Sequence, residues 1–248
     1  DHSLSPPAEP LGLGETNSEL IPVDYQDLEA LHFAALHLPQ FIPVLRTATQ
    51  LLLDAEIRGV PGLFYNGYEP TKGTWTGDFE NQGDTQGKHL KTIQELWTAI
   101  HLARVATAEP SMLSSEQRAA AAAAADRSFA FFKAFYDANG RIPEYLTTSG
   151  GDVPNCPGRN CLDRRQRNIE NEFEGSGRIY ALFVRLGHYR GADASYLKAV
   201  ADRMMLGDRI TSGKLAGMFG AKTAGAGNSD AWNTLESILS LCILGTDN

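Results

Sequence analysis

The sequence predicts a mainly α-helical fold assembled from antiparallel helix hairpins. Apolar residues recur at intervals of three and four in several segments, which is the spacing of one helix face. Gly, Pro and Asn cluster between those segments, where helices end. Alternating patterns typical of strands are confined to short pieces near residues 62–68. The chain has 248 residues, 42% of them hydrophobic and 21% charged, so it can form a sizeable core.

The first 20 residues are rich in Pro and Gly and predict an extended tail. We expect residues 21–248 to form a single helical domain. A short helix runs to Leu38 and is ended by Pro39. A second helix is predicted over 40–57, where apolar residues recur at helical spacing.

A long connection follows at residues 58–87. It carries five aromatic residues and several acids, and connections of this length in a compact domain are usually functional or disordered. The aromatic residues argue against disorder. These aromatic side chains are Phe64, Tyr65, Tyr68, Trp75 and Phe79.

Five further helices and one more long connection complete the pattern. We expect a third helix over 85–106 and a fourth that Ser114 and Gln117 begin as a capping box and Gly140 ends. Residues 140–170 form the second long connection. A fifth helix follows Gly177, a sixth covers 194–206 with Asp193 as its cap, and a seventh covers 230–244 with Cys242 in the core.

Cys156 and Cys161 flank a Pro-Gly turn, and their spacing predicts a small disulfide-closed loop. Metal binding is the alternative for this pair, although no further Cys or His lies nearby. The disulfide, together with a chain that starts at Asp1, favours an exported protein, secreted or periplasmic.

Three helices are preceded by polar, Gly-rich segments that carry carboxylates. These segments are residues 81–87 (NQGDTQG), 172–177 (EFEGSG) and 225–230 (GAGNSD). Acids before a helix can simply cap it and complement its dipole. Hairpins that send several such segments to one end would instead gather the acids in one cleft.

This layout resembles the (α/α) toroid family of carbohydrate-active enzymes, which includes glycoside hydrolases and polysaccharide lyases. The resemblance rests on residues 75–87, 171–177 and 227–232, about a quarter of the chain. It implies a partial or complete toroid, in which inner helices direct acidic segments at a central aromatic-lined cleft. A complete toroid needs about twelve helices, and the sequence predicts seven.

The resemblance implies a glycosidase that hydrolyses a poly- or oligosaccharide. Glycoside hydrolysis uses two carboxyl groups that flank the bond. Candidate catalytic residues are Asp84, Asp78, Glu174 and Asp230. Candidate substrate-binding residues are Trp75, Tyr68, Glu80, Gln82, Glu144, Tyr145, Glu172 and Arg178.

Two alternatives remain open at this point. A polysaccharide lyase would use a base and a cation, for which His89 (predicted one turn into the third helix), Tyr145, Arg141 and Arg178 are candidates. A non-catalytic helical module that binds glycan or protein would need no catalytic pair, and Asp84 would then only cap its helix.

Other function classes find little support. The net charge of −8 and the lack of a basic stripe argue against nucleic-acid binding. No apolar run is long enough to span a membrane. Dinucleotide, phosphate-loop, zinc-protease and serine-hydrolase motifs are lacking, so we expect no cofactor and no metal. The sequence does not indicate an oligomeric state.

Overall fold

Helices dominate the part of the chain that the structure, a computed structural model, describes. That part comprises residues 21–22, 25–69, 72–77, 89–108, 111–143, 145–151, 177–207, 212–214, 216–217, 238 and 242. It contains six long helices and five strands of two or three residues, which confirms the mainly α class. The predicted tail, 1–20, lies outside the described residues.

The elements follow one another as helix pairs separated by strand-bearing connections. In chain order they are β1 Ile21–Pro22, α1 Tyr25–His37, α2 Ile42–Asp54, β2 Gly67–Glu69, β3 Thr74–Thr76, β4 His89–Lys91, α3 Thr92–Thr107, α4 Ser115–Asn139, β5 Tyr145–Thr147, α5 Gly177–Tyr189 and α6 Ala194–Gly207. One 3-10 turn, Pro39–Phe41, joins α1 to α2.

The predicted helix caps are present at α4 and α6. Ser114 Oγ accepts the backbone N–H of Gln117 at 3.1 Å, and Gly140 ends α4 in the left-handed conformation. The Gln117 side chain does not return to Ser114 but donates to the Arg46 carbonyl, so only half of the capping box forms. At α6, Asp193 Oδ1 accepts the N–H of Tyr196 at 2.9 Å.

The predicted start of the third helix at Thr85 is wrong. Helix α3 begins at Thr92, and Lys91 in an extended conformation occupies the N-cap position. Residues 89–91 instead form β4, which places Leu90 opposite Leu146 of β5 in the core. Tertiary pairing has overridden local helix propensity here, and Asp84 therefore does not cap α3.

The second helix is also shorter than the predicted 40–57. It ends at Asp54, after which the chain turns back on itself. The N–H of Ile57 donates to the Leu63 carbonyl, and that of Tyr65 donates to the Ala55 carbonyl. Backbone groups that would have continued the helix are therefore paired across this turn.

Only two positions of the predicted seventh helix are described, Ile238 and Cys242, and both are helical. The prediction that Cys242 lies in the core is wrong, because its side chain is exposed. Ile238, one helical turn earlier on the same face, is 46% exposed. The helix side that the sequence predicts to be buried is therefore exposed to solvent at both described positions.

Helices α3 and α5 run in the same direction, each antiparallel to α4. Arg118 near the start of α4 donates from Nε to the carbonyl of Ala106 near the end of α3. Arg190, just beyond the end of α5, pairs with Asp126 in the first half of α4. The backbone N–H of Ile142, just beyond the end of α4, donates to the Tyr180 hydroxyl near the start of α5.

Two further contacts fix the directions of α2 and α6. Along the α2–α4 contact, Arg46 lies by Gln117 and Glu56 lies by Arg127, so these two helices are parallel. A Cβ at Gly187 near the end of α5 would meet Leu197 near the start of α6, which shows an antiparallel hairpin. Residues on every side of α3 are buried, so α3 lies inside and α2 and α4 lie outside it.

Short and long connections lie at opposite ends of the helices. Residues 108–114 and 190–193 join α3 to α4 and α5 to α6 at one end. The long connections, 55–91 and 140–176, precede α3 and α5 and meet at the other end, where β4 pairs antiparallel with β5. Strand β1, which precedes α1, pairs there with β2. We call this end, with β1–β5, the loop end.

Candidate active site

The β4–β5 ladder presents one apolar and one polar face at the loop end. Leu90 and Leu146 face each other across the ladder and are fully buried. Because side chains alternate along a strand, the opposite face carries His89 and Thr147 as one pair and Lys91 and Tyr145 as the next. The two leucines thus pack in the core, while His89, Lys91 and Thr147 on the other face are half-buried.

A buried carboxylate fixes this ladder to the neighbouring sheet. Glu95, in the first turn of α3, accepts the N–H of Phe64 at 2.7 Å and the Asn66 side-chain amide at 2.6 Å. Asn66 in turn accepts the N–H of Lys91 at 3.0 Å through Oδ1. Since Glu95 is fully buried and Asn66 is 3% exposed, these bonds are protected from water. They tie the start of β2 to the end of β4.

Two of the predicted sugar-binding aromatic residues form a cross-strand pair. Tyr68 of β2 lies opposite Trp75 of β3, and their ring centroids are 4.9 Å apart. Both side chains are half-buried, and Trp75 also packs on the core. Trp75 therefore anchors the connection to the core while part of its ring remains exposed to solvent.

Most of the predicted catalytic and binding residues lie outside the described part of the chain. These residues are Asp78, Glu80, Gln82, Asp84, Glu144, Glu172, Glu174 and Asp230. By sequence, seven of them fall within 55–91 and 140–176, and Asp230 follows the last described segment before Ile238. For Arg178, the structure describes the backbone in the first turn of α5.

The candidates for lyase chemistry occupy different environments. His89 is not one turn into a helix as predicted but lies on β4, opposite Thr147. Tyr145 is only 3% exposed, so its ring has no free face on which a sugar could stack. Arg141 follows α4 at the same end of the molecule and is half-buried.

The sequence did not predict that Asn66 and Glu95 take part in the site. Asn66 lies in an Asn-Gly pair, which could have indicated a turn, and Glu95 lies in the first turn of a helix, where acids are ordinary. Neither signal indicates that the two side chains meet, because 29 residues separate them. Only the position of β4 and β2 relative to α3 brings them together.

Two adjoining cavities follow the groove between α2 and α4. One, of about 550 Å³, lies at the loop end and is lined in part by Arg58, Pro61 and Trp75. The other, of about 520 Å³, extends toward the start of α4 at Ser114 and Gln117. Their shared wall consists of Leu53, Asp54, Glu56 and Arg127.

A two-point ion pair lines both cavities. Arg127 donates from Nε to Glu56 Oε1 at 2.7 Å and from a terminal nitrogen to Oε2 at 2.6 Å. The N–H of Gly62 also donates to Oε1 at 2.9 Å. Burial acts to raise the pKa of Glu56, but the bonds from Arg127 and Gly62 outweigh it and lower that pKa. Glu56 is therefore held as a charged structural group, unsuited to act as a proton donor near neutral pH.

Two further predictions concern metals and membranes. Among the described residues, no group of three or more His, Cys, Asp or Glu side chains could hold a metal ion. No helix in the described ranges is long and apolar enough to cross a bilayer. Cys156 and Cys161 lie outside these ranges, so the predicted disulfide stays a prediction.

Comparison with known proteins gives a likeness in fold only. No protein-family model matches the chain, and no curated protein matches its sequence. An α-amylase from Clostridium perfringens has a similar structure, with a TM-score of 0.61 and 11% sequence identity. The match covers 91% of this chain and 55% of that chain, so this chain spans about half the length of the α-amylase. The fold is thus shared with a carbohydrate-active enzyme.

Proposed function

We propose that the chain belongs to an exported glycoside hydrolase that cleaves a poly- or oligosaccharide at the loop end. The observation that carries the proposal is the β4–β5 ladder, which pairs the two acid-bearing connections that precede α3 and α5. The likeness in fold to an α-amylase supports the same chemical class.

The proposed chemistry uses two carboxyl groups, one as acid and one as base or nucleophile. Asp84, Asp78, Glu174 and Asp230 are the candidates, and the distance within a pair decides between retention and inversion. Helix starts favour the ionised form of a nearby carboxylate, whereas an apolar surrounding raises its pKa. A pair whose surroundings differ in this way separates into acid and base.

The described residues have a supporting part in this proposal. Asn66, Glu95 and the β4–β5 ladder fix the frame that carries the two connections. Tyr68 and Trp75 provide ring surface close in sequence to the acids at 78, 80 and 84, the first of which follows Gly77 directly. Sugar C–H faces pack on such rings, while amides and carboxylates bind the hydroxyl groups.

The test is release of reducing sugar by the 248-residue chain from neutral polysaccharides, soluble starch first, and from acidic polysaccharides. We expect turnover of a neutral polymer, lost when the catalytic pair is replaced by amides. If the chain binds a glycan but hydrolyses none of the tested polymers, the result would contradict hydrolysis and favour a binding module.

A lyase is the second candidate, because β4–β5 and the end of α4 bring His89, Tyr145 and Arg141 to one end of the molecule. Lyase cleavage of a uronate polymer creates a carbon–carbon double bond next to the ring carboxylate. An increase in ultraviolet absorbance during turnover of an acidic polymer would therefore identify it and contradict the hydrolytic proposal.

A further inference from the structure

The groove between α2 and α4, together with Arg58, Pro61 and Trp75 of the connection that follows α2, has the features of a small-molecule site. Its two cavities, of about 550 and 520 Å³, share four lining residues and therefore adjoin each other. Each falls in the size range of ligand pockets.

The charges of the described residues along the groove nearly cancel. At the loop end, Asp54 and Glu56 face Arg58 and Arg127, and Glu116 adds one negative charge toward the start of α4. Glu56 and Arg127 are already paired with each other. Such a surface gives an anionic ligand no net attraction, which disfavours a phosphate, a nucleic acid or a uronate polymer.

The remaining polar groups suit hydroxyl groups. Gln50 donates from its amide to Asp54 at 2.9 Å, and Gln117 donates to the Arg46 carbonyl at 3.1 Å. An amide offers both donors and acceptors, and a carboxylate offers several acceptor positions, so each of these side chains has capacity for a ligand. Asp54 and Arg58 are exposed to solvent.

An aromatic ring lies at the loop end of this groove. Trp75 is half-buried and lines the larger cavity, and its contact with Tyr68 holds the ring in place. A fixed ring next to donors and acceptors, on a surface of low net charge, is the combination that binds a neutral sugar. A rigid ring also loses little side-chain entropy on binding.

We infer that the α2–α4 groove binds a neutral oligosaccharide chain, with Trp75 as its stacking surface and Asp54, Arg58, Gln50 and Gln117 as its hydrogen-bonding groups. The choice of a glycan rests on the proposed function. The groove is a second contact for a polymer whose cleaved bond lies among the acidic connections, and it raises the effective concentration of substrate at the loop end.

Affinity electrophoresis in gels that contain soluble starch tests the groove, with maltoheptaose as a competitor and polygalacturonate as an acidic comparison. Arg58→Ala and the double variant Gln50→Ala/Gln117→Ala each remove hydrogen bonds, so we expect the Kd for starch to rise about fivefold. Trp75→Ala should weaken binding as well. Asp202→Ala, at an exposed ion pair on α6, is the matched control and should bind as the parent does.

Turnover of a short chromogenic maltoside by the same variants separates the groove from the catalytic centre. Arg58→Ala and the double glutamine variant should keep the parent rate within about twofold, since single lost hydrogen bonds outside the reacting centre leave kcat unchanged. If the variants lose starch binding and the parent hydrolyses no substrate, the groove is a glycan-binding site and the proposed hydrolase activity is contradicted. Parent-like starch affinity in all groove variants with unchanged Tm, or tighter binding of polygalacturonate, would overturn the groove.

Discussion

Asn66 and Glu95 meet as a buried pair at the loop end, where the Asn66 amide donates to Glu95 Oε1 at 2.6 Å. Asn66 also accepts the backbone N–H of Lys91. One amide side chain therefore connects β2, β4 and α3, the three elements that position the long connection before α3. The integrity of the proposed site depends on this junction.

Asn66→Ala should lower the free energy of unfolding by about 2–3 kcal/mol, since a buried carboxylate loses a donor and a backbone N–H loses its acceptor. Urea unfolding followed by circular dichroism measures this loss. Asn139→Ala, which removes an exposed amide bonded to the Phe135 carbonyl, is the matched control and should cost about 0.5 kcal/mol or less. Equal effects of the two substitutions would contradict the role given to Asn66.

Gly62→Ala should destabilise the turn that walls the α2–α4 groove. Gly62 has φ of +91°, and a Cβ there would lie 2.5 Å from the Arg127 carbonyl carbon and oxygen. We expect a loss of about 2 kcal/mol or more in the free energy of unfolding, because left-handed strain and a backbone clash act together. Thermal and urea unfolding provide the measurement.

Gly59→Ala is the control for Gly62→Ala in the same turn. A Cβ at Gly59 would meet nothing within 4 Å. The substitution should therefore leave stability unchanged or raise it slightly, because alanine restricts the unfolded chain more than glycine does. Destabilisation by both substitutions to the same extent would show that the close approach at Gly62 is not the cause.

Acidification should destabilise the protein through two buried histidines between α1 and α3. Burial first, and then the charges of His32 and Arg104, lower the pKa of His101 to about 3. Burial and Arg104 also lower the pKa of His32, against the opposing effect of Glu29. In the unfolded chain both titrate near pH 6.5, so below that pH the unfolded state binds protons that the folded state does not.

The stabilisation from neutral His101 is therefore complete above about pH 6.5 and decreases as the pH falls toward about 3. The expected slope is about 1.4 kcal/mol per pH unit for His101 between these two pH values. Unfolding free energies at pH 7, 6 and 5 should show a smaller slope for His101→Leu than for the parent. His37→Gln, at an exposed position on α1, should keep the parent slope. An unchanged slope in His101→Leu would contradict this assignment.

The helices were predictable from the sequence because their signals are local. Ser114 and Asp193 cap helices as expected, and the alanine-rich segment forms α4. The start of α3 was not predictable from the sequence, because β4 forms only by pairing with β5, which lies more than 50 residues away. The Asn66–Glu95 pair and the α2–α4 groove likewise depend on packing between distant segments, and no local pattern encodes either of them.

The most direct test of the central claim is the turnover of a neutral polysaccharide by Asp84→Asn, measured together with its Tm. Since α3 is capped at Lys91 and not at Asp84, the substitution removes no cap from that helix. We expect an unchanged Tm and a rate lower than the parent's by about a hundredfold or more, as follows from lost acid–base catalysis. With Asp202→Asn on α6 as the control, a rate within about threefold of the parent's at unchanged Tm would contradict the role of Asp84.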